Sequence, residues 1–228
     1  MRQHSGNLTE GKPIRLILAF AVPVFLGNLF QILYGLIDTK IVGSTLGEEA
    51  LAAVGSVSTL YNLLTGFFNG MTLGFSVITA RCFGAGDEER LKKSVAASIL
   101  IGFAAAAVLV LGIFAGLSPI LTLLHVPGRQ EAMAYSYISI LVLGMFVTLA
   151  YNLCANILRS IGDAVTPLVF LVLASAVNVF LDYLLILAFQ MGVAGAAVAT
   201  VISQLLSVVL CILHIRRKFP VLWVEKRH

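Results

Sequence analysis

The chain has 228 residues, of which 59% are hydrophobic and only 11% are charged. Soluble domains carry roughly 25% charged residues, so this composition excludes an ordinary soluble fold and indicates an integral membrane protein surrounded by a lipid bilayer. The formal net charge of +4 comes without a basic face interleaved with aromatic residues. A nucleic-acid partner is therefore not expected.

Uncharged apolar stretches predict six membrane-spanning helices, because a helix needs about 20 apolar residues to cross a bilayer. They lie at about residues 14–40, 50–80, 94–117, 132–158, 165–189 and 192–214. The expected fold class is all-α and polytopic. Residues 1–13 form an N-terminal segment, residues 14–214 the transmembrane lobe, and residues 215–228 a basic tail.

Basic residues predict the orientation of these helices. Six crossings place both termini on one side, and every lysine and arginine except Lys40 and Arg129 falls on that side. By the positive-inside rule, both termini are expected to be cytoplasmic.

The first predicted helix carries a carboxylate inside an apolar span. No charged residue lies between Arg15 and Asp38. A charge at membrane depth costs several kcal/mol, so Asp38 is expected to face a hydrated cavity, or to join two helices as a buried structural carboxylate. Gln31 and Tyr34 share its helix face. Pro23 interrupts the backbone hydrogen bonds earlier in the helix, either as a hinge or as a tolerated kink.

The second predicted helix carries a continuous polar stripe, which indicates either a close helix interface or the wall of a hydrated cleft. The stripe consists of Ser58, Asn62, Thr65, Asn69, Thr72, Ser76 and Thr79. After it, residues 81–94 mix both charge signs and predict a turn and a short amphipathic helix. Residues 118–127 are apolar but short, and they predict an interfacial piece.

Later helices repeat the pattern of paired polar residues. Asn152 and Asn156 are spaced i, i+4 with Arg159 on the same face, and Asn178 and Asp182 have the same spacing on the fifth helix. The sixth helix presents a polar face made of Thr200, Ser203 or Gln204, and Ser207.

An internal repeat relates the first helix pair to the last. Pro23 and Asp38 are 15 residues apart, as are Pro167 and Asp182. LGEEALAAVGSVS (46–58) then parallels MGVAGAAVATVIS (191–203), with the offset changing from 144 to 145 through one inserted residue. Both first helices run in the same direction, as in transporters that build a site between parallel repeats. Asp38 and Asp182 are therefore expected at equivalent depths.

Five strings in this sequence together resemble the multidrug and toxic compound extrusion (MATE) family. They are PVFLGNLFQILYGLIDTKIVG, FGAGDEERLKKSV, NILRSIGDAVTP, NVFLDYLLI and GVAGAAVATVISQ. The resemblance implies the amino-terminal six-helix lobe of a cation-coupled exporter of about twice this length. It also implies a cation site, for a proton or Na⁺, at Asp38, Asn178, Asp182 and Thr200, with Pro23 as the kinking proline. Gln31, Tyr34 and Asn152 match positions near the cavity.

The leading hypothesis is a secondary active exporter in a bacterial inner membrane, which exchanges H⁺ or Na⁺ for cationic amphipathic compounds. No Gly-Lys-Ser/Thr phosphate loop occurs, so ATP is not expected to drive the chain directly. Two carboxylates in a low-dielectric pocket repel each other, and binding a proton relieves the repulsion. Amide and hydroxyl oxygens suit Na⁺. The expected cavity-lining residues are Gln31, Tyr34, Asn62, Asn69, Asn152 and Asn156.

Three other interpretations remain open at this point. Half length fits a non-transporting fragment, or a lobe that needs a second six-helix lobe from a homodimer or a separate chain. Flipping of lipid-linked saccharides would favour basic residues in the cleft, whereas the intramembrane charges here are acidic. An enzyme is not expected, because the sequence contains no serine–lysine, HExxH or paired-histidine arrangement. No cofactor is expected beyond the coupling cation.

Overall fold

The structure, a computed structural model, describes residues 13–124, 126–219 and 222. Within these residues the chain forms seven α-helices and one π-helical turn: α1 Pro13–Leu46, α2 Glu48–Gly84, α3 Glu88–Leu123, α4 Gly128–Leu143, α5 Met145–Ser160, α6 Val165–Tyr183, the π-turn Leu184–Ala188, and α7 Gly192–Lys218. Among the described residues, five helices are long and apolar enough to cross a membrane, and α4 with α5 makes a sixth if the bent pair is one span. The prediction of an all-α polytopic membrane protein is confirmed.

Helix α3 is longer than predicted at both ends. Residues 88–94 form its first turns, because the Asp87 side chain accepts a hydrogen bond from the Arg90 backbone N–H at 3.0 Å and caps the helix there. At the other end, α3 continues through Pro119 to Leu123. The predictions of a separate amphipathic helix in 81–94 and of an interfacial piece from residue 118 are therefore wrong.

The predicted helix 132–158 is two helices that meet at a bend of 43°. The bend lies at Gly144, where the carbonyl oxygen accepts hydrogen bonds from the Val147 and Thr148 N–H groups at 2.9 and 3.1 Å. A side chain at Gly144 would collide with Val201 of α7. The glycine thus lets α7 pack against the inside of the bend.

A π-helical turn absorbs the residue that is inserted in the second copy of the repeat. Phe189 N–H donates to the Leu184 carbonyl at 3.1 Å, a bond that spans five residues rather than four. Gly47 and Gly192 occupy matching positions of the repeat, at the start of α2 and of α7. Both have positive φ, 87° and 60°. The two copies therefore enter their second helices with similar backbone geometry.

Helix packing places α7 at the centre of the lobe and α1 at its edge. Helix α7 packs against α4, α5 and α6, whereas α1 packs mainly against α2 and α6. In the described part of the chain, two clusters of buried apolar side chains form the core. One includes Phe68, Leu117 and Ile138, and the other includes Leu91 and Leu158.

Parts of the predicted domain division fall outside the described residues. Residues 1–12 of the N-terminal segment and most of the basic tail are among them. Helix α7 continues to Lys218, beyond the predicted end at residue 214, so the first basic residues of the tail belong to its last turn. The cytoplasmic location of both termini stays a prediction.

Candidate functional site

Two acidic residues from the two copies of the repeat meet between α1 and α6. The Asp38 side chain on α1 is buried with 7% of its surface exposed, and Asp182 on α6 is fully buried. The two carboxyl groups are close enough to interact directly, although no atom pair between them meets the geometry of a hydrogen bond in the described part of the chain. The spacing that relates the two acids in sequence therefore brings them together in space.

The acidic pair lies in a cluster of buried polar atoms that lack partners. Both oxygens of Asp182, one oxygen of Asp38, both amide atoms of Asn178 and the hydroxyl of Tyr34 form no hydrogen bond with any described residue. Buried polar groups in proteins are nearly always hydrogen-bonded, so a cluster of exceptions is typical of a place that binds a proton, a water or an ion. Asn178 and Tyr34 also correspond in the repeat, since both precede their acid by one helical turn.

Thr200 of α7 completes the set of four residues that the family resemblance implies. Its side chain is buried with 5% exposure, and its hydroxyl donates to the Ala196 carbonyl at 3.1 Å. The hydroxyl is also within interaction range of Tyr34. No three His, Cys, Asp or Glu side chains come together as metal ligands in the described residues. A cation at this place would depend on two carboxylates and on neutral amide and hydroxyl oxygens.

A cavity of about 730 Å³ opens beside the acidic pair. It is lined by five of the six residues predicted to line a cavity, together with two of the predicted cation ligands: Gln31, Tyr34, Asn62, Asn69, Asn152, Asp38 and Thr200. Asn178 and Asp182 are not among the lining residues. Asp38 thus stands between the cavity and the fully buried Asp182.

Asn156, the sixth predicted lining residue, borders a second cavity of about 630 Å³. Asn28 and Asn69 line both cavities, so the two are adjacent. The Asn156 amide donates to the Thr72 hydroxyl at 2.9 Å and accepts from Arg159 at 3.1 Å. This part of the polar stripe on α2 is therefore engaged in a helix contact, whereas Asn62 and Asn69 face a cavity. The stripe therefore forms a helix interface at Thr72 and a cavity wall at Asn62 and Asn69.

The sequence did not predict a network of side chains that lies along one wall of the larger cavity. Thr148 donates to the Gln204 side-chain oxygen at 2.7 Å, and the Gln204 amide donates to the Tyr61 hydroxyl at 3.4 Å. Tyr137 also lines this wall and lies within interaction range of Asp38. Tyr61 is spaced three residues from Ser58 on the polar stripe, so its position could have been inferred. Tyr137 and Thr148 lie in α4 and α5, on either side of the bend at Gly144.

Pro23 lies inside α1, which continues through it as one helix from Pro13 to Leu46. The residue is half-buried and is separated from Asp38 by about four helical turns. Its role as a hinge stays a prediction.

Comparisons with known proteins agree with the sequence motifs. The family model described as MatE matches residues 23–184. The chain is 34% identical over 207 residues to the "Probable multidrug resistance protein YoeA" of Bacillus subtilis (strain 168), covering 88% of this chain and 44% of that protein. It is 31% identical over 204 residues to "Probable multidrug resistance protein YpnP" of the same strain, covering 87% of this chain and 44% of that protein.

A solved structure described as "Crystal structure of MATE in the bent conformation" superposes on the whole chain with a TM-score of 0.91 and 26% sequence identity, and the match covers 51% of that structure. The chain thus spans about half the length of the relatives it matches. Its helices, its repeat and these similarities lead to one conclusion: the chain belongs to the MATE family of multidrug transporters, whose fold it shares over a single lobe.

Proposed function

We propose that this chain is one lobe of a secondary active multidrug exporter that exchanges H⁺ or Na⁺ for cationic amphipathic compounds. The observation that supports this most directly is the buried pair of acids, Asp38 and Asp182, beside a cavity of about 730 Å³. Two of its relatives are named as probable multidrug resistance proteins, which agrees with this assignment.

In this proposal the coupling cation and the substrate compete for the same negative charge. Asp38 borders the cavity and attracts a cationic substrate, while Asp182 lies behind it. Binding a proton or Na⁺ cancels one of the two negative charges and relieves the repulsion between the carboxylates, so the cationic substrate is held less strongly and is released. Asn178 and Thr200 would supply neutral oxygens to Na⁺, or hydrogen-bond a protonated acid. No cofactor is needed beyond the coupling cation.

Helix α1 is the element that would move in response. Only 6% of the residues in its most apolar stretch are buried, the lowest share of the five membrane-spanning candidates in the described chain. Pro23 lacks a backbone N–H, which weakens the helix at that point. A bend at Pro23 would displace Gln31 and Tyr34, and with them the wall of the cavity.

A complete transport path requires a second six-helix lobe, because the family's structures that this chain matches are about twice as long. We propose that a second copy of the chain or a separate chain supplies it. The membrane would be the bacterial inner membrane, with both termini cytoplasmic. Native mass measurement of the detergent-purified protein tests this part: a dimer or a complex with a second chain is expected, and a monomer at all concentrations would contradict it.

Transport in sealed vesicles tests the acidic pair. The chain, with its partner lobe where one is found, is reconstituted, and efflux of the fluorescent cation ethidium is followed under an imposed pH or Na⁺ gradient. Asp38→Asn and Asp182→Asn are each expected to reduce gradient-driven efflux to the level of empty vesicles. Glu131→Gln removes one negative charge at an exposed site in the first turn of α4 and serves as the control. Unchanged coupling in either aspartate variant would refute the proposal.

A further inference from the structure

The second cavity combines apolar walls with two arginines. It lies between α1, α2 and α5, toward the end of α2 that precedes α3. Its apolar wall includes Phe20 and Val24 of α1 together with Leu73 and Val77 of α2, and Arg81 and Arg159 supply its charge. Leu73 and Val77 are 57% and 56% exposed, so this wall continues onto an apolar outer surface of the described lobe.

Arg159 enters this cavity with most of its hydrogen-bonding capacity unused. A guanidinium group has five N–H donors. In the described residues, the side chain makes one hydrogen bond, from Nη1 to the Asn156 side-chain oxygen at 3.1 Å, and its buried Nε has no partner. The group reaches across to α1, where a Cβ built on Gly27 would lie 3.9 Å from Nη2.

A chain of hydrogen bonds holds Arg159 in this position. Asn156 accepts from the guanidinium and donates through its amide to the Thr72 hydroxyl at 2.9 Å. Thr72 in turn donates to the Phe68 carbonyl of α2 at 2.8 Å. The arginine is therefore oriented by α2 before any ligand arrives, which reduces the entropy lost on binding.

No carboxylate neutralises the two arginines within the described part of the chain. The ion pairs found there join Arg90 to Asp87, Lys93 to Glu89 and His214 to Asp163. The cavity itself is lined by asparagine, serine and apolar side chains in addition to the arginines. A half-buried positive charge without a counter-ion is costly, and an anionic ligand would offset this cost.

We propose that Arg81 and Arg159 bind the phosphate group of an anionic membrane phospholipid. Guanidinium groups match phosphate oxygens in geometry and charge and bind them through paired hydrogen bonds. The apolar wall formed by α1 and α2 accommodates the acyl chains of such a lipid. A free inorganic anion would leave this wall uncovered. The site is separate from the acidic pair, and its occupancy does not depend on the transport activity proposed above.

Native mass spectrometry of the full chain in nanodiscs tests this site. Discs contain phosphatidylglycerol and phosphatidylcholine in equal amounts, and the lipids that remain bound after release are counted. The wild-type chain is expected to retain phosphatidylglycerol preferentially. The double variant Arg81→Gln/Arg159→Gln is expected to lose this preference by about tenfold or more, because hydrogen bonds to charged groups are each worth roughly a factor of ten in affinity.

Matched variants separate a specific site from general attraction to positive charge. Lys92→Gln/Arg217→Gln removes two basic residues, one in the first turns of α3 and one in the last turn of α7. Neither residue lines the cavity, so this variant is expected to keep the wild-type preference for phosphatidylglycerol. Arg159→Lys keeps the charge but loses the paired geometry, so an intermediate preference is expected. Circular dichroism confirms that each variant is folded.

Three results would overturn the proposal. The wild-type chain could show no preference for phosphatidylglycerol, or the control variant could lose the preference as fully as Arg81→Gln/Arg159→Gln does. The third is binding of inorganic phosphate to the delipidated chain as tightly as phosphatidylglycerol, because a site for a small free anion does not need the apolar wall.

Discussion

The two similar helix pairs, α1–α2 and α6–α7, differ most in how deeply they are buried. Of the residues in the most apolar stretch of each helix, 6% are buried in α1 and 22% in α2, against 22% in α6 and 44% in α7. Both pairs carry an acid one turn after a polar residue with unpartnered atoms. The same local pattern therefore occurs once in the least buried of these helices, α1, and once in the more deeply buried α6.

This difference gives the two acids unequal surroundings. Asp38 retains 7% exposure and lines the larger cavity, whereas Asp182 is fully buried and does not line it. A repeated motif thus yields one acid that lines the cavity and a second, fully buried acid that interacts with the first. The sequence repeat places one acid in each copy, and the packing of the helices determines which of the two acids lines the cavity.

The two helix pairs are expected to differ most in stability when one residue is deleted from each of them, at a position that follows its acid. Removal of Leu187, which is 56% exposed in the π-turn, gives the second pair the spacing of the first and should leave the chain folded. Removal of Ile41, which is 4% exposed in regular helix, takes this side chain out of the core and turns its buried neighbours off the core face, at about 2–5 kcal/mol for each large side chain lost.

The monodisperse fraction after detergent extraction and size exclusion measures both deletions. It should stay near the wild-type value without Leu187 and fall steeply without Ile41. Equal aggregation of the two variants would show that the π-turn does not simply absorb an inserted residue.

Alanine at two glycines should change stability in opposite directions. A Cβ at Gly195 of α7 would lie 3.2 Å from the carbonyl carbon of Leu185 in the π-turn, so Gly195→Ala is expected to cost about 1–3 kcal/mol. Gly55 of α2 has open space around its added Cβ, and Gly55→Ala should gain about 0.5–1 kcal/mol from helix propensity. Thermal unfolding in detergent measures both, and a stabilising Gly195→Ala would contradict the close packing at the π-turn.

The third pair of changes removes buried polar atoms that have no partner among the described residues. Asn178→Leu should stabilise the ion-free protein by about 1–3 kcal/mol, because it removes a buried amide that forms no hydrogen bond with the described residues. Tyr34→Phe removes one such hydroxyl from the other pair and should gain about 1 kcal/mol.

Unfolding temperatures measured over a range of Na⁺ concentration and pH show whether these atoms bind the coupling cation. The stabilisation by added cation should disappear in Asn178→Leu and persist in part in Tyr34→Phe. A full cation-dependent shift in Asn178→Leu would remove Asn178 from the proposed site.

Much of the fold could be predicted because membrane helices leave a strong signal in sequence. Long uncharged stretches located every span, and the spacing of Pro23 and Asp38 against Pro167 and Asp182 identified the repeat. Helix ends were less predictable. The cap at Asp87 and the tolerance of Pro119 within α3 depend on local hydrogen bonds and surroundings that hydropathy does not record.

Most residues of the candidate site could be named from the sequence, but how they are distributed between the two cavities could not. Five of six expected lining residues do border the larger cavity, while Asn156 borders its neighbour. Tyr137 and Thr148, which the sequence did not single out, lie on either side of the bend at Gly144. Nothing in the apolar sequence around Gly144 distinguishes a bend from a packing glycine, since the Val201 contact joins residues far apart in the chain.

By itself, the sequence determined the all-α membrane fold, the duplicated helix pair and the presence of one acid in each copy, because apolar length and residue spacing are properties of a single chain segment. Only the tertiary structure decided that α7 is central and α1 peripheral, that the inserted residue forms a π-turn, and that Asp38 lies between the cavity and Asp182. These features arise from contacts between helices, and close packing settles them through the shapes of side chains that are distant in sequence.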